Sequence, residues 1–320
     1  MNFIAIVVAL ALEQWRAFRW RASVERAFVH YARYLESAMN GGTRQQGAIA
    51  TLLALAPPVA LTALLHVALA AIHPLLGLLW TIVVLYLLMG FRRFSHAVSA
   101  IVLALKSGEL PAARRTLAAW RGGVTTELSS EEIARLAIER GLIDAYRQVF
   151  AVLFWFAVLP GPAGAVLYRA SVLLAEEWRG GAKGDDTTPI GRERAIFGQP
   201  ARVLLTWLDW IPVRLTALSF AIVGDFEDAV ACWRTQAQLW ANEEGGVPIG
   251  ILLASGGGAL GVKLGGPLAT IGGERDYRPE VGMGDTVDPD VLPSGVGLVW
   301  RTLVLWLLLI LLLTLAYVAP

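Results

Sequence analysis

Residues 47–91 read GAIATLLALAPPVALTALLHVALAAI, then His73-Pro74, then LLGLLWTIVVLYLLMGF. A bilayer's hydrocarbon core asks for about 20 consecutive apolar residues from a helix. The first run, Gly47 to Ile72, meets that length, with Pro57-Pro58 predicting a kink. The second, Leu75 to Phe91, follows after only two residues, so the pair predicts a transmembrane hairpin over 47–91. Composition agrees: 56% of the 320 residues are hydrophobic and 17% charged. Soluble domains average about 45–50% and about 25%. The fold class expected is therefore an all-α integral membrane protein, with transmembrane and re-entrant helices, a cytoplasmic helical region and a Gly-rich loop.

Outward from the hairpin, Val296 to Ala319 is another clear span, with Arg301 placed to snorkel to the headgroups. Met1 to Leu12 is apolar but short, and predicts a retained, partly inserted helix rather than a cleaved signal. Two apolar segments between 149 and 223 are interrupted. Val149 to Leu174 carries Pro160-Gly161-Pro162, and Val203 to Val223 carries Asp209, Pro212 and Arg214 within LDWIPVRL. A charge at mid-bilayer costs at least ~2.5–3.5 kcal/mol. Broken helices persist at that depth only when buried in protein or lining a wet cavity. Residues 149–223 are accordingly read as broken or re-entrant helices enclosing a site.

Arginines 16, 19, 21, 26, 33 and 44 precede the hairpin; Arg92, Arg93, Lys106, Arg114, Arg115 and Arg121 follow it. Both segments are expected to be cytoplasmic. Residues 92–148 read as cytoplasmic helices: one over Gly108 to Arg121 entered through Pro111, another beginning at the hydroxyl of Ser129 ahead of Glu131-Glu132. Residues 224–295 form the Gly-rich cytoplasmic region and 296–319 the C-terminal transmembrane helix.

Within that region, SGGGALGVKLGGPLATIGGERDYRP (Ser255 to Pro279) concentrates glycine beside Lys263, Arg275 and Arg278. It lacks G-x-x-x-x-G-K-[ST], and the G-x-G-x-x-G beginning at Gly256 follows no strand. What remains is a run of backbone donors suited to a phosphate or carboxylate, or else a flexible linker into the last span. Asp209 and Arg214 either line a polar cavity or pair for packing. Glu139 with Asp144 suits a solvated helix face.

Other chemistries find little support. A net charge of +1 gives no case for nucleic acid. Cys232 stands alone, so an internal disulfide and a cysteine zinc cluster are excluded. His30, His66, His73 and His96 lack ligand spacing, and no metal site is expected. Asp185-Asp186 suits a solvated turn more than a hydrated Mg²⁺.

The ordered set GELPAARRTL (108–117), LFW (153–155), PGPAGAVLYRA (160–170), FGQPAR (197–202), IPVRLTAL (211–218), GALGVKLGGP (258–267) and GGERDYRPEVG (272–282) resembles the CobD/CbiB family of cobalamin-biosynthesis membrane proteins. The resemblance implies a multi-pass protein of the bacterial inner membrane, similar to an adenosylcobinamide-phosphate synthase. Such a protein joins adenosylcobyric acid to an aminopropanol phosphate by ATP-dependent amide ligation. ATP and Mg²⁺ would then be the cofactors, with the lipid bilayer, a corrinoid or other anionic small molecule, and membrane proteins as partners. Departures accompany it: of the family's E-T-x-A-E-N-x-x-D-G helix, aligned on Glu139 to Gln148, only Glu139 survives. LFWFAVLPGPAGAVLYRA and LDWIPVRLTALSFAIVGDFEDAVACW also resemble AmpE, which implies a non-catalytic regulator or ligand sensor linked to cell-wall recycling and β-lactamase signalling. The site residues implied are Gly261, Lys263, Gly265, Gly266, Glu274 and Arg275 for anion contact, Asp209 and Arg214 in the membrane, and Glu139 as the acid.

Overall fold

A computed structural model describes residues 2–15, 20–122, 127–179, 188–269 and 275–318, without the side chains of 2, 91, 93, 189–190, 269, 275–276 and 317–318. Among the described residues the regular structure is helical apart from two short antiparallel strand pairs. Four helical stretches among the described residues are long and apolar enough to cross a membrane: Arg44–Ile72, Ser130–Val158, Gln199–Val223 and Pro289–Ala316. The molecule is an all-α membrane protein by this measure. It divides into two compact units, one of Met1–Met89 with Arg147–Trp210, the other of Gly90–Tyr146 with Ile211–Pro320.

In the first unit, α1 (Asn2–Trp15) packs on α4 (Pro74–Leu88), and its Ala5, Ile6 and Ala9 are buried. Helix α3 (Arg44–Ile72) is capped by Thr43, whose hydroxyl accepts from the Gln46 amide. His73 ends α3 and caps α4 through Nδ1. The second arm of the expected hairpin stops at Leu88 after 15 residues, about 22 Å of rise. That is shorter than the hydrocarbon core, and only α3 has spanning length. A core of Ala32, Leu35, Ala54, Leu174, Trp178 and Phe197 joins α3 to α2 (Arg21–Met39), α9 (Ala163–Glu177) and α10 (Pro189–Phe197).

Prolines inside the long helices do not break them, and at Pro57 and Pro212 another group takes up the carbonyl left without a donor. Pro57 has no N–H for Leu53, whose oxygen accepts instead from the Tyr31 hydroxyl at 2.9 Å. Pro212 leaves the Leu208 carbonyl, which accepts from the Trp155 indole at 3.1 Å. Hence α11 runs unbroken from Gln199 to Val223. The expected interruption at LDWIPVRL is corrected: the helix absorbs its proline as transmembrane helices do when a neighbour supplies a donor. The other expected break is present. Helix α8 (Ala151–Val158) ends before Pro160-Gly161-Pro162, and α9 begins after it.

In the second unit, α5 (Phe91–Lys106) and α6 (Leu110–Arg121) pack together and on α7 (Ser130–Ala145). Ser129 and Glu132 form a reciprocal capping box at the start of α7, as the hydroxyl and acidic pattern predicts. A π-helical turn, Tyr146–Phe150, carries α7 directly into α8, so the helix does not end near residue 148. Helix α14 (Leu292–Val318) packs on α7 and α5 and contains the expected C-terminal span.

The region from 224 is the main departure from expectation. Helix α12 (Phe226–Gln236) and helix α13 (Gly246–Leu260) fill its first half, and Ser255 to Gly258 lie buried in the last turns of α13. Glycine costs a helix about 1 kcal/mol relative to alanine. Here its small size is needed, since a Cβ on Gly258 would sit 2.5 Å from the Asp228 carbonyl oxygen of α12. Ser255 donates to the Ala217 carbonyl at 2.8 Å. These glycines form a close-packed helix contact, not a loop. The chain then turns into β1 (Lys263–Gly265), which pairs with β4 (Glu280–Gly282), while β2 (Leu268–Ala269) pairs with β3 (Arg275–Asp276).

Candidate functional site

One face of α7 carries Glu131, Arg135 and Glu139 at successive steps of four, the spacing that aligns side chains along a helix. Strand β1 lies against this face. Glu139 is 4% exposed, and both of its oxygens are engaged. Oε1 accepts from the Gly265 amide at 2.8 Å and from Arg278 Nη2 at 3.2 Å; Oε2 accepts from Arg278 Nη1 at 2.8 Å. Arg278 also donates through Nε to the Gly266 carbonyl and lies 5.6 Å from the centroid of the Trp240 ring. A buried carboxylate is costly unless paired and hydrogen-bonded. Three charge-assisted bonds meet that condition.

The solvated face expected for Glu139 and Asp144 is therefore corrected. Asp144 is also buried, 3.1 Å from Arg140 Nε and accepting from the Trp120 indole at 2.9 Å. Helix α7 buries residues on most of its circumference along its second half, so Glu139 and Asp144 face neighbours instead of water. Nearby, burial lowers the pKa of the Arg121 guanidinium, and the charge of Glu139 opposes that shift.

The glycine amides proposed as anion donors have protein partners. Gly261 N–H bonds Gly258 O, Lys263 N–H bonds Asp285 O, and Gly266 N–H bonds Pro279 O. Gly265 N–H serves Glu139. The anion this segment cradles is the protein's own carboxylate. Cationic side chains are what remain for a ligand. Lys263 is exposed and lines a groove of about 90 Å³ with Arg135, Glu131, Glu132 and Glu280. Arg135 donates Nη2 to the Pro267 carbonyl at 2.8 Å, while its buried Nε has no partner among the described residues. Glu132 is occupied by the capping box; Glu131 and Glu280 make no hydrogen bond or ion pair among the described residues.

Of the expected site residues, Glu139, Gly261, Lys263, Gly265 and Gly266 gather in the second unit. Asp209 belongs to the first unit, buried and accepting from the Tyr168 hydroxyl at 2.8 Å, whereas Arg214 belongs to the second. The Arg275 backbone pairs with Ala269 in β3. Its side chain, and Glu274 and Asp185-Asp186 entirely, lie outside the described residues. Among the described residues no three His, Cys, Asp or Glu side chains converge as a metal cage. Arg135 and Trp240 escaped the sequence reading, although the Glu131, Arg135, Glu139 spacing was a usable signal.

Apolar helices of spanning length, with a charged groove built on a buried carboxylate–guanidinium centre, define a helical membrane protein that presents a small polar site. Comparison with known proteins identifies the class more narrowly. The family model described as CobD/Cbib protein matches residues 5–299. The cobalamin biosynthesis protein CobD of Stutzerimonas stutzeri is 36% identical over 313 residues, 97% of each chain. The CobD protein of Chromobacterium violaceum is 37% identical over 284 residues, covering 89% of this chain and 84% of its own. This chain belongs to the CobD/CbiB family of cobalamin biosynthesis proteins. No solved structure matches it. These matches bear on the cobalamin reading and lend no support to the AmpE-like alternative.

Proposed function

We propose that this chain acts in late cobalamin assembly at the bacterial inner membrane, as a multi-pass adenosylcobinamide-phosphate synthase. It would join adenosylcobyric acid to an aminopropanol phosphate in an ATP-dependent amide ligation. The observation that carries the reading is the groove beside β1, lined by the cations Lys263 and Arg135 and the carboxylates Glu131 and Glu280. Each wall carries one charge of each sign, Arg135 with Glu131 on α7 and Lys263 with Glu280 on the β1–β4 pair; the cations suit phosphate oxygens and the carboxylates an ammonium group. A ligand with a phosphate at one end and an amine at the other satisfies both.

The same donor set suits a magnesium nucleotide at a modest level. Mg²⁺ keeps several waters and takes one or two protein carboxylates beside phosphates, which Glu131 and Glu280 supply without a cage. Bound ATP and Mg²⁺ would supply the driving force for amide formation. The chain's own residues bind and orient. Lys263 contacts the anion, and Glu131 or Glu280 receives a proton as the amine becomes an amide nitrogen. Glu139 and Arg278 fix β1 so that Lys263 faces the groove. In this reading Glu139 is a positioning residue and not the acid.

Complementation of a bacterial strain lacking the synthase tests the proposal. The chain should restore cobalamin-dependent growth on cobyric acid, and no growth despite sound membrane expression would sink it. Lys263→Ala should weaken binding of the anionic substrate about tenfold, the order of one charge-assisted hydrogen bond. Titration of purified protein with the aminopropanol phosphate measures it, and unchanged affinity would remove Lys263 from the site.

A further inference from the structure

We propose that the apolar groove in the first unit, between α3, α9 and α11, holds one acyl chain of an anionic phospholipid. The groove encloses about 370 Å³ and is walled by Ala48, Leu52, Ala56, Val59, Leu167 and Leu204. Its one hydroxyl, on Thr51, is satisfied by the Gly47 carbonyl at 2.7 Å. Nothing on the wall asks for a polar ligand, and such surfaces bind hydrocarbon.

Length and width select the occupant. From Ala48 to Val59 the groove follows α3 for about 16 Å at 1.5 Å per residue. That is close to half of a ~30 Å hydrocarbon core, the depth of one leaflet. The volume spread over that length leaves a channel narrower than a helix. A helix with its side chains is about 10–12 Å in diameter and does not fit. An extended alkyl chain does. The groove lies on α3 and α11, two of the helices of spanning length, so acyl chains are what a bilayer would bring to it.

Charge at the mouth selects the headgroup. One end of the groove lies at the first turns of α3 and α11, near Ala48 and Pro200. Gly47 packs against the Phe197 carbonyl, which brings the end of α10 to the same place. Arg33 and Arg194 are paired with Glu177 and Glu36. Arg44 and Arg192 are exposed and carry no ion pair among the described residues, against one such acid, Glu193, beside Gly42. Arg202 adds a further positive charge while donating to the carbonyls of Trp178, Arg179 and Ala195. Among the described residues the edge is net positive, which favours an anionic headgroup.

The test reconstitutes the full chain in mixed phosphatidylglycerol and phosphatidylethanolamine, extracts it in mild detergent, and counts retained lipid by native mass spectrometry. Wild type should keep one phospholipid per chain, enriched in phosphatidylglycerol. Ala56→Trp fills the groove and should lower retention at least tenfold, while Val67→Trp, on exposed α3 outside the groove, should retain lipid like wild type. Arg44→Glu should lower the phosphatidylglycerol share severalfold. A thermal midpoint for each variant checks folding, and Leu204→Phe from the opposite wall replaces Ala56→Trp if that variant misfolds. Equal retention by the filled and wild-type grooves, no retained lipid in wild type, or a dimer that dissociates on filling the groove would each overturn the proposal. An unchanged lipid profile in Arg44→Glu would overturn the headgroup assignment.

Discussion

Glu139→Ala should destabilise the second unit by about 3–5 kcal/mol, the usual consequence of removing one partner from a buried ion pair. The variant leaves Arg278, 9% exposed, without the two carboxylate oxygens it contacts, and leaves the Gly265 amide without an acceptor. Thermal unfolding in detergent reads the loss as a lower midpoint, with reduced membrane yield. The counterpart is Glu139→Leu combined with Arg278→Leu, which removes both charges together. Buried pairs exchanged for apolar residues of similar volume are often neutral. The double variant should therefore recover most of the stability, apart from the unmade Gly265 hydrogen bond at about 1–3 kcal/mol. If the single and double variants melt alike, the pair does not hold β1. The two readouts also separate stability from function: a double variant that folds but fails in complementation would show that β1 needs this charged anchor in order to present Lys263.

Much of the fold is legible in the chain, and the reasons for the exceptions are local. Length and apolarity announce α3 and α14, and the Ser129 cap with its acidic first turn announces α7, because these signals lie within a few residues of what they specify. Partners distant in sequence are not visible in this way. LDWIPVRL reads as a broken segment until Trp155 is seen to donate to Leu208, a contact spanning 53 residues. Glu139 reads as solvated until Arg278, 139 residues away, reaches it. The glycines at 256–258 were the most misleading. The same absence of a Cβ that suits a ligand-binding loop also lets Gly258 pack on the α12 backbone, Gly257 on that of Val262 and Gly282, and Gly256 on the Leu142 side chain, and composition alone cannot separate the two. The candidate site was legible as a neighbourhood: Lys263, Gly265 and Glu139 do come together. Their roles were not, since the glycine amides serve Glu139 and other protein groups, and Arg135 supplies a cation that lies far off in sequence.

Two glycines in this neighbourhood allow backbone strain to be separated from crowding. Gly261, at φ 67°, ends α13 in the left-handed region with open space where a Cβ would stand. Gly265 has φ 79°, but a Cβ there would lie 2.1 Å from the Pro279 carbonyl oxygen and 3.0 Å from the Trp240 ring. Gly261→Ala should therefore cost only the left-handed penalty, about 1–2 kcal/mol. Gly265→Ala carries the same penalty and must also push β1 away from the segment before β4, lengthening the Gly265 bond to Glu139. Its loss should exceed that of Gly261→Ala by at least the ~1–3 kcal/mol of an unsatisfied buried polar group. Thermal midpoints should rank wild type above Gly261→Ala, and Gly261→Ala well above Gly265→Ala. Hydrogen exchange should place the added loss at β1 and β4, leaving α14 protected. Equal midpoints for the two variants would mean that β1 can shift without cost. The close approach at Gly265, and the link from Glu139 to Lys263 that depends on it, would then not constrain the groove.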